Sequence, residues 1–106
     1  MKTIVAKIKE LAPENVPVFL SGDFNTRTDL PIYEPLKAIM TDSRELAVET
    51  DHRGTYTGFR VRENPVVVDH IFVRGAEVDK FQVLCDKNYG APYISDHWPV
   101  MTVARF

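Results

Sequence analysis

The sequence predicts an α/β (α+β) fold with a mainly antiparallel sheet and two flanking helices. Three observations carry that expectation. Two segments repeat their apolar residues at helical spacing. Four short runs rich in Val, Ile and Phe are bounded by Gly, Pro and charged residues, as strands are. The whole chain is 106 residues long, enough for one domain with one modest core and no more.

The elements follow in order. Residues 3–12 place Ile4, Val5, Ile8, Leu11 and Ala12 on one helical face, with Lys7, Lys9 and Glu10 opposite; Pro13 ends this helix. Pro17-Val18-Phe19-Leu20 reads as a short strand running into Gly22-Asp23-Phe24-Asn25. A second helix is expected over 30–40, with Pro31 in its first turn and Ile32, Leu36, Ile39 and Met40 facing inward. Residues 41–65 are rich in charge and poor in aliphatics, which predicts a functional loop with a short helix near Arg44–Val48. Strand signals return at 66–73 and at 77–84, then at 98–103 with Pro99 near its start, and 86–92 reads as a loop.

Composition narrows the function classes. Thirteen Lys plus Arg against fifteen Asp plus Glu leave a formal charge of −2, which argues against gripping nucleic acid through bulk positive charge. The single cysteine, Cys85, excludes an internal disulfide framework and reads as a small buried hydrophobe. No apolar run reaches the length of a membrane span. Only Ile4-Val5-Ala6 precede Lys7, too short for a signal-peptide core. The expected compartment is therefore cytoplasmic by default, with an exported parent protein left open.

Three acidic residues stand beside apolar strands. Asp69 interrupts Val66-Val67-Val68-Asp69-His70-Ile71-Phe72-Val73 in mid-strand. A desolvated carboxylate there is costly unless paired or metal-bound, so it is either functional or a structural acceptor. His70 falls on the opposite face of the strand and packs or hydrogen-bonds there. Asp23 with Asn25 is either a turn or a carboxylate and amide presented together, oxygen ligands that suit a hard cation. Asp96 and His97 offer a turn cap or, with a second carboxylate to orient the imidazole, an acid/base pair.

Taken in order, Gly22-Asp23-Phe24-Asn25, Asp69-His70-Ile71-Phe72-Val73 and Ser95-Asp96-His97-Trp98-Pro99-Val100 resemble the endonuclease/exonuclease/phosphatase superfamily of metal-dependent phosphoesterases. Gly54-Thr55-Tyr56-Thr57-Gly58-Phe59 is similar to a segment of bacterial members. The resemblance implies hydrolysis of a phosphate ester by an activated water, with Mg²⁺ or Mn²⁺ as cofactor. It makes Asp23, Asn25, Asp69 and His97 catalytic, assigns Asn25, Tyr56 and His97 to substrate, and assigns Asp23, Asn25 and Asp96 to the metal. Within it, Asp69 orients His97, and the imidazole contacts the phosphate.

The family's fold is a four-layer α/β/β/α sandwich, and its N-terminal half carries an early Asn and a Glu metal ligand. No segment before Gly22 supplies them: the carboxylates there are Glu10 and Glu14, in and just after the first helix. The resemblance thus implies that 1–106 is the C-terminal half of the domain. A lone half exposes a sheet face, so a homodimer or a complementing N-terminal half is the expected partner. The alternative function is that of a non-catalytic fragment serving as an assembly module. The substrate is a phosphate ester, with nucleic acid kept open: Arg53, Arg60 and Arg62 are candidates for phosphate contact, and Tyr56 and Phe59 for stacking.

Overall fold

Helix α1 spans Lys2–Leu11, and its stripe of Met1, Val5 and Ile8 rests on a core of Leu36, Met40 and Phe72. Leu11, expected on that face, is exposed. It lies about 120° around the helix from Val5, beyond the buried stripe. The computed structural model describes residues 1–24, 30–57, 66–85 and 95–106. The predicted loop at 86–92 therefore lies outside the described residues.

Strand β1 covers Val18–Asp23, longer than expected, so Asp23 closes the strand instead of following it. Pairing along its full length with β3, Asp69–Arg74, draws those extra residues into the ladder. The second helix is not continuous. A 3₁₀ turn at Pro31–Tyr33 leads into a single α turn, α2, at Glu34–Lys37. Pro35 has no N–H to donate back along the chain, which breaks the run. Tyr33 takes the inward place expected of Ile32, which is exposed, while Leu36 and Met40 are buried.

The residues from 41 to 57 are held more tightly than a loop. Strand β2, Thr41–Asp42, pairs with β3, and α3 follows at Ser43–Leu46. Glu49 then bridges in parallel to Lys80 on β4, Glu77–Val83. The polar content that suggests a loop is used internally: Arg44 Nη1 donates to the carbonyls of Asp51 and Arg53, and Asp51 accepts from Val83 N–H at 2.9 Å. Residues 58–65 of the predicted loop lie outside the described residues.

Strand β5, Val100–Arg105, pairs antiparallel with β4. The described strands thus form a three-stranded sheet, β1-β3-β2, and a two-stranded sheet, β4-β5. The chain passes from one to the other at Gly75, whose φ of +75° is open to glycine and strained for other residues. First and last strands are not neighbours. On β1 and β3, register partners share a face: Phe19 and Val73 lie on the same side as Asp23 and Asp69, away from His70. Phe19 is 43% exposed there and meets Phe106, 87% exposed, with ring centroids 6.0 Å apart. Cys85 is half-buried.

Candidate active site

Asp23 and Asp69 come from opposite chain directions and meet as cross-strand partners. The last residue of β1 thereby faces the first of β3. Asp69 is not in mid-strand: regular pairing begins at it, because Val67 and Val68 precede the ladder. Its side chain keeps 18% of its exposure, so it sits at a rim and not in a desolvated core.

His97 arrives by another route. The strap around Thr55 holds the segment before β5: Trp98 N–H donates to the Thr55 carbonyl at 2.7 Å, and Thr57 N–H donates to the Asp96 carbonyl at 2.8 Å. The fully buried Thr55 also accepts, through Oγ1, from the N–H groups of Val68 at 3.0 Å and Asp69 at 3.2 Å. One residue thus touches both arms of the site. Sequence reading named the Gly54-Thr55-Tyr56 segment but not this role, because a clamp between distant backbones leaves no local pattern.

The His97 Nδ1 lies 2.8 Å from Asp69 Oδ2. A carboxylate only accepts, so Nδ1 carries the proton and Nε2 points the other way. Nε2 lies 3.5 Å from Asp23 Oδ2 and 3.9 Å from Asp96 Oδ1. The Tyr56 ring meets the imidazole edge-on at a centroid distance of 5.3 Å. The hydrogen bond to Asp69 raises the His97 pKa above its usual value; burial opposes this, and the charges of Asp69, Asp23 and Asp96 add to it. His97 therefore keeps its second proton to a higher pH than a free imidazole.

Asp23, Asp69, Asp96, His97 and Tyr56 are thus brought together. Asn25, Phe59, Arg60 and Arg62 lie outside the described residues. Arg53 forms a forked contact with Asp51 at 2.7–3.1 Å. One ligand atom each from Asp23, Asp69 and His97 lies within 4.8 Å of the others. Exposed carboxylate oxygens gathered at one rim fit a hard divalent cation. Among the described residues, no helix is long and apolar enough to cross a membrane.

Comparison with known proteins bears on the family and the fold. The model of the Endonuclease/Exonuclease/phosphatase family matches residues 4–97. A mannosyl-6-phosphatase of Bacteroides thetaiotaomicron is 30% identical with a TM-score of 0.79, over 99% of this chain and 44% of its own. An endonuclease/exonuclease/phosphatase of Bacteroides vulgatus gives a TM-score of 0.83 at 27% identity, over 98% of this chain and 41% of its own. A family protein of Bacteroides thetaiotaomicron, 29% identical with a TM-score of 0.74, is matched over 95% of this chain and 42% of its own. No match is found among curated proteins. The chain spans less than half the length of these solved relatives. It belongs to the endonuclease/exonuclease/phosphatase family.

Proposed function

We propose, with that membership as the premise, that the chain carries part of a metal-dependent centre hydrolysing a phosphate ester. The observation that supports it best is the line Asp69–His97–Asp23, with 2.8 Å on one side of the imidazole and 3.5 Å on the other. A doubly protonated His97 donates from Nε2 to a phosphoryl oxygen and offsets charge that grows as the ester bond breaks. Asp69 holds the ring's direction and balances its positive charge. Asp23 accepts the proton of the attacking water, whose oxygen forms the new bond to phosphorus as the leaving oxygen departs. Asp23 and Asp96, with Asn25, are the residues that would hold Mg²⁺ or Mn²⁺, which when bound supplies Lewis-acid polarisation of the phosphoryl group. Tyr56, edge-on to His97, forms a wall for the substrate.

The name of the mannosyl-6-phosphatase relative and the net charge of −2 favour a small phosphate ester over a nucleic acid. We read 1–106 as the C-terminal half of the family's domain. The face around Phe19 and Phe106 then takes a complementing N-terminal half or a second copy of the chain. Hydrolysis of a chromogenic phosphodiester with and without Mg²⁺ or Mn²⁺, alongside His97→Ala, tests the reading. Metal-dependent turnover lost in the variant is the expected result. A folded chain with no turnover in either metal would instead favour a non-catalytic assembly module.

A further inference from the structure

Asp69 and His97 are carried by segments of different sheets. Asp69 opens β3 of the three-stranded sheet, and His97 leads into β5 of the two-stranded one. A hydrogen bond of 2.8 Å between them requires the two sheets to keep a set spacing. The strap at Thr55 joins the front of that gap; the back is joined by a separate set of polar side chains, buried except for half-buried Thr102.

His70, next to Asp69, points to the opposite face and is buried. Its Nδ1 lies 2.7 Å from Asp42 Oδ2, and Asp42 is buried too. The second Asp42 oxygen accepts from Arg44 N–H at 3.0 Å and caps α3. Ser43, fully buried, begins that helix, and its Oγ lies 2.8 Å from Thr102 Oγ1 on β5. Two consecutive residues, Asp42 and Ser43, therefore reach β3 with one side chain and β5 with the next. The His70 ring is also stacked on Phe24, with centroids 5.6 Å apart and planes 12° from parallel. Phe24 directly follows Asp23 and donates its N–H to the Val68 carbonyl at 2.8 Å.

We propose that buried His70, Asp42 and Ser43, with half-buried Thr102, form a brace that sets the distance between Asp69 and His97. They are positioning residues: the brace touches neither substrate nor reacting atoms, and acts by holding β3 and β5 from behind. Apolar residues of the same volumes would fill this space, but they would leave the relative slide of the two sheets free. Hydrogen bonds between short side chains tolerate little displacement, so they transmit a set spacing. The Phe24 stack extends the same support to Asp23. This inference rests on the reading of Asp69 and His97 as the centre's working pair.

The test reads the pair itself and needs no turnover. In the metal-free protein, nitrogen-labelled imidazole NMR should show two hydrogen-bonded Nδ1–H signals, one from His97 and one from His70. Ser43→Ala and Thr102→Val each remove the bond to β5, and each should abolish or shift the His97 signal while the His70 signal stays. Thr102→Ser keeps the hydroxyl and should restore the His97 signal. An unchanged His97 signal in both bond-breaking variants would overturn the brace. So would loss of both signals in both variants, which would assign these residues to folding alone. Absence of turnover in the wild-type chain with both signals intact would count against the catalytic reading and leave the brace standing.

Discussion

Two His–Asp pairs use the same chemistry on opposite sides of β3. Asp69 bonds His97 at 2.8 Å, and the adjacent His70 bonds Asp42 at 2.7 Å. The distances hardly differ; the surroundings do. The His97 side chain is 25% exposed, and its far nitrogen faces Asp23 and Asp96. The His70 side chain is 4% exposed, stacks on Phe24, and has no partner for Nε2 among the described residues. A ring nitrogen at a carboxylate-lined rim can reach a substrate, whereas one sealed among aromatic rings can only hold position. The environment, not the bond, separates chemistry from architecture.

The widest separation should come from the rim. His97→Ala is expected to lower phosphodiester hydrolysis by about 10²–10⁴-fold, the range for a positioned acid or base. Its unfolding midpoint should scarcely move. Kinetics and a thermal melt on one preparation check both halves. Behind the strand the pattern should invert. Asp42→Ala strips a buried histidine of its partner and an α-helix of its cap, and should cost about 3–5 kcal/mol of stability. Urea unfolding measures this. A cost no greater than that of Asp69→Ala would break the distinction between the two pairs.

A milder change sharpens it. Asp69→Asn keeps the size of the side chain but weakens the orientation of His97, for an expected loss of about 10–100-fold in rate, by analogy with partners that orient metal-bound histidines. Stability should change little beside that of Asp42→Ala. The smallest effect is one of pH. The folded-state pKa of His97 is raised, first by its bond to Asp69. That contribution is fully present below the unfolded value of about 6.5 and fades as pH rises through the higher folded value. Stability should therefore decline gently as pH rises above about 6.5, and Asp69→Asn should flatten the decline. Asp51 supplies the opposite limb. Its hydrogen bond from Arg53 holds its carboxyl far below the usual range. That support persists above the unfolded carboxylate value and is lost as pH falls through the folded one. A stability–pH curve of wild type and Asp69→Asn checks both limbs.

Much of this was legible in residue patterns. The strands were readable because β-branched runs bounded by Gly and Pro report local preference, though β1 runs further than its apolar run does. The helix at 30–40 was misread because its apolar spacing is helical and Pro35 interrupts it. The segment at 41–57 holds its short helix as α3 and is otherwise irregular, but β2 and the bonds of Arg44, Asp51 and Thr55 to distant backbone leave no local pattern. Asp69 stood out because a charge is costly beside apolar residues, and Asp23, Asp96 and His97 stood out through the motifs that resemble the family. Thr55, Asp42 and Ser43 did not, since small polar residues are ordinary at turns and caps.

The sequence by itself determined the family, the strand segments and the carboxylates and imidazole available for chemistry. Side-chain period two even placed His70 opposite Asp69. The family resemblance already implied that Asp69 orients His97, but only the tertiary structure gave His70 its partner, Asp42. Each pair joins residues 28 positions apart, and both histidines have an aspartate as an immediate neighbour that they do not bond through Nδ1. Those partnerships are set by the register of β2 on β3 and by the separation of two sheets. Both are non-local, so no window along the chain contains them.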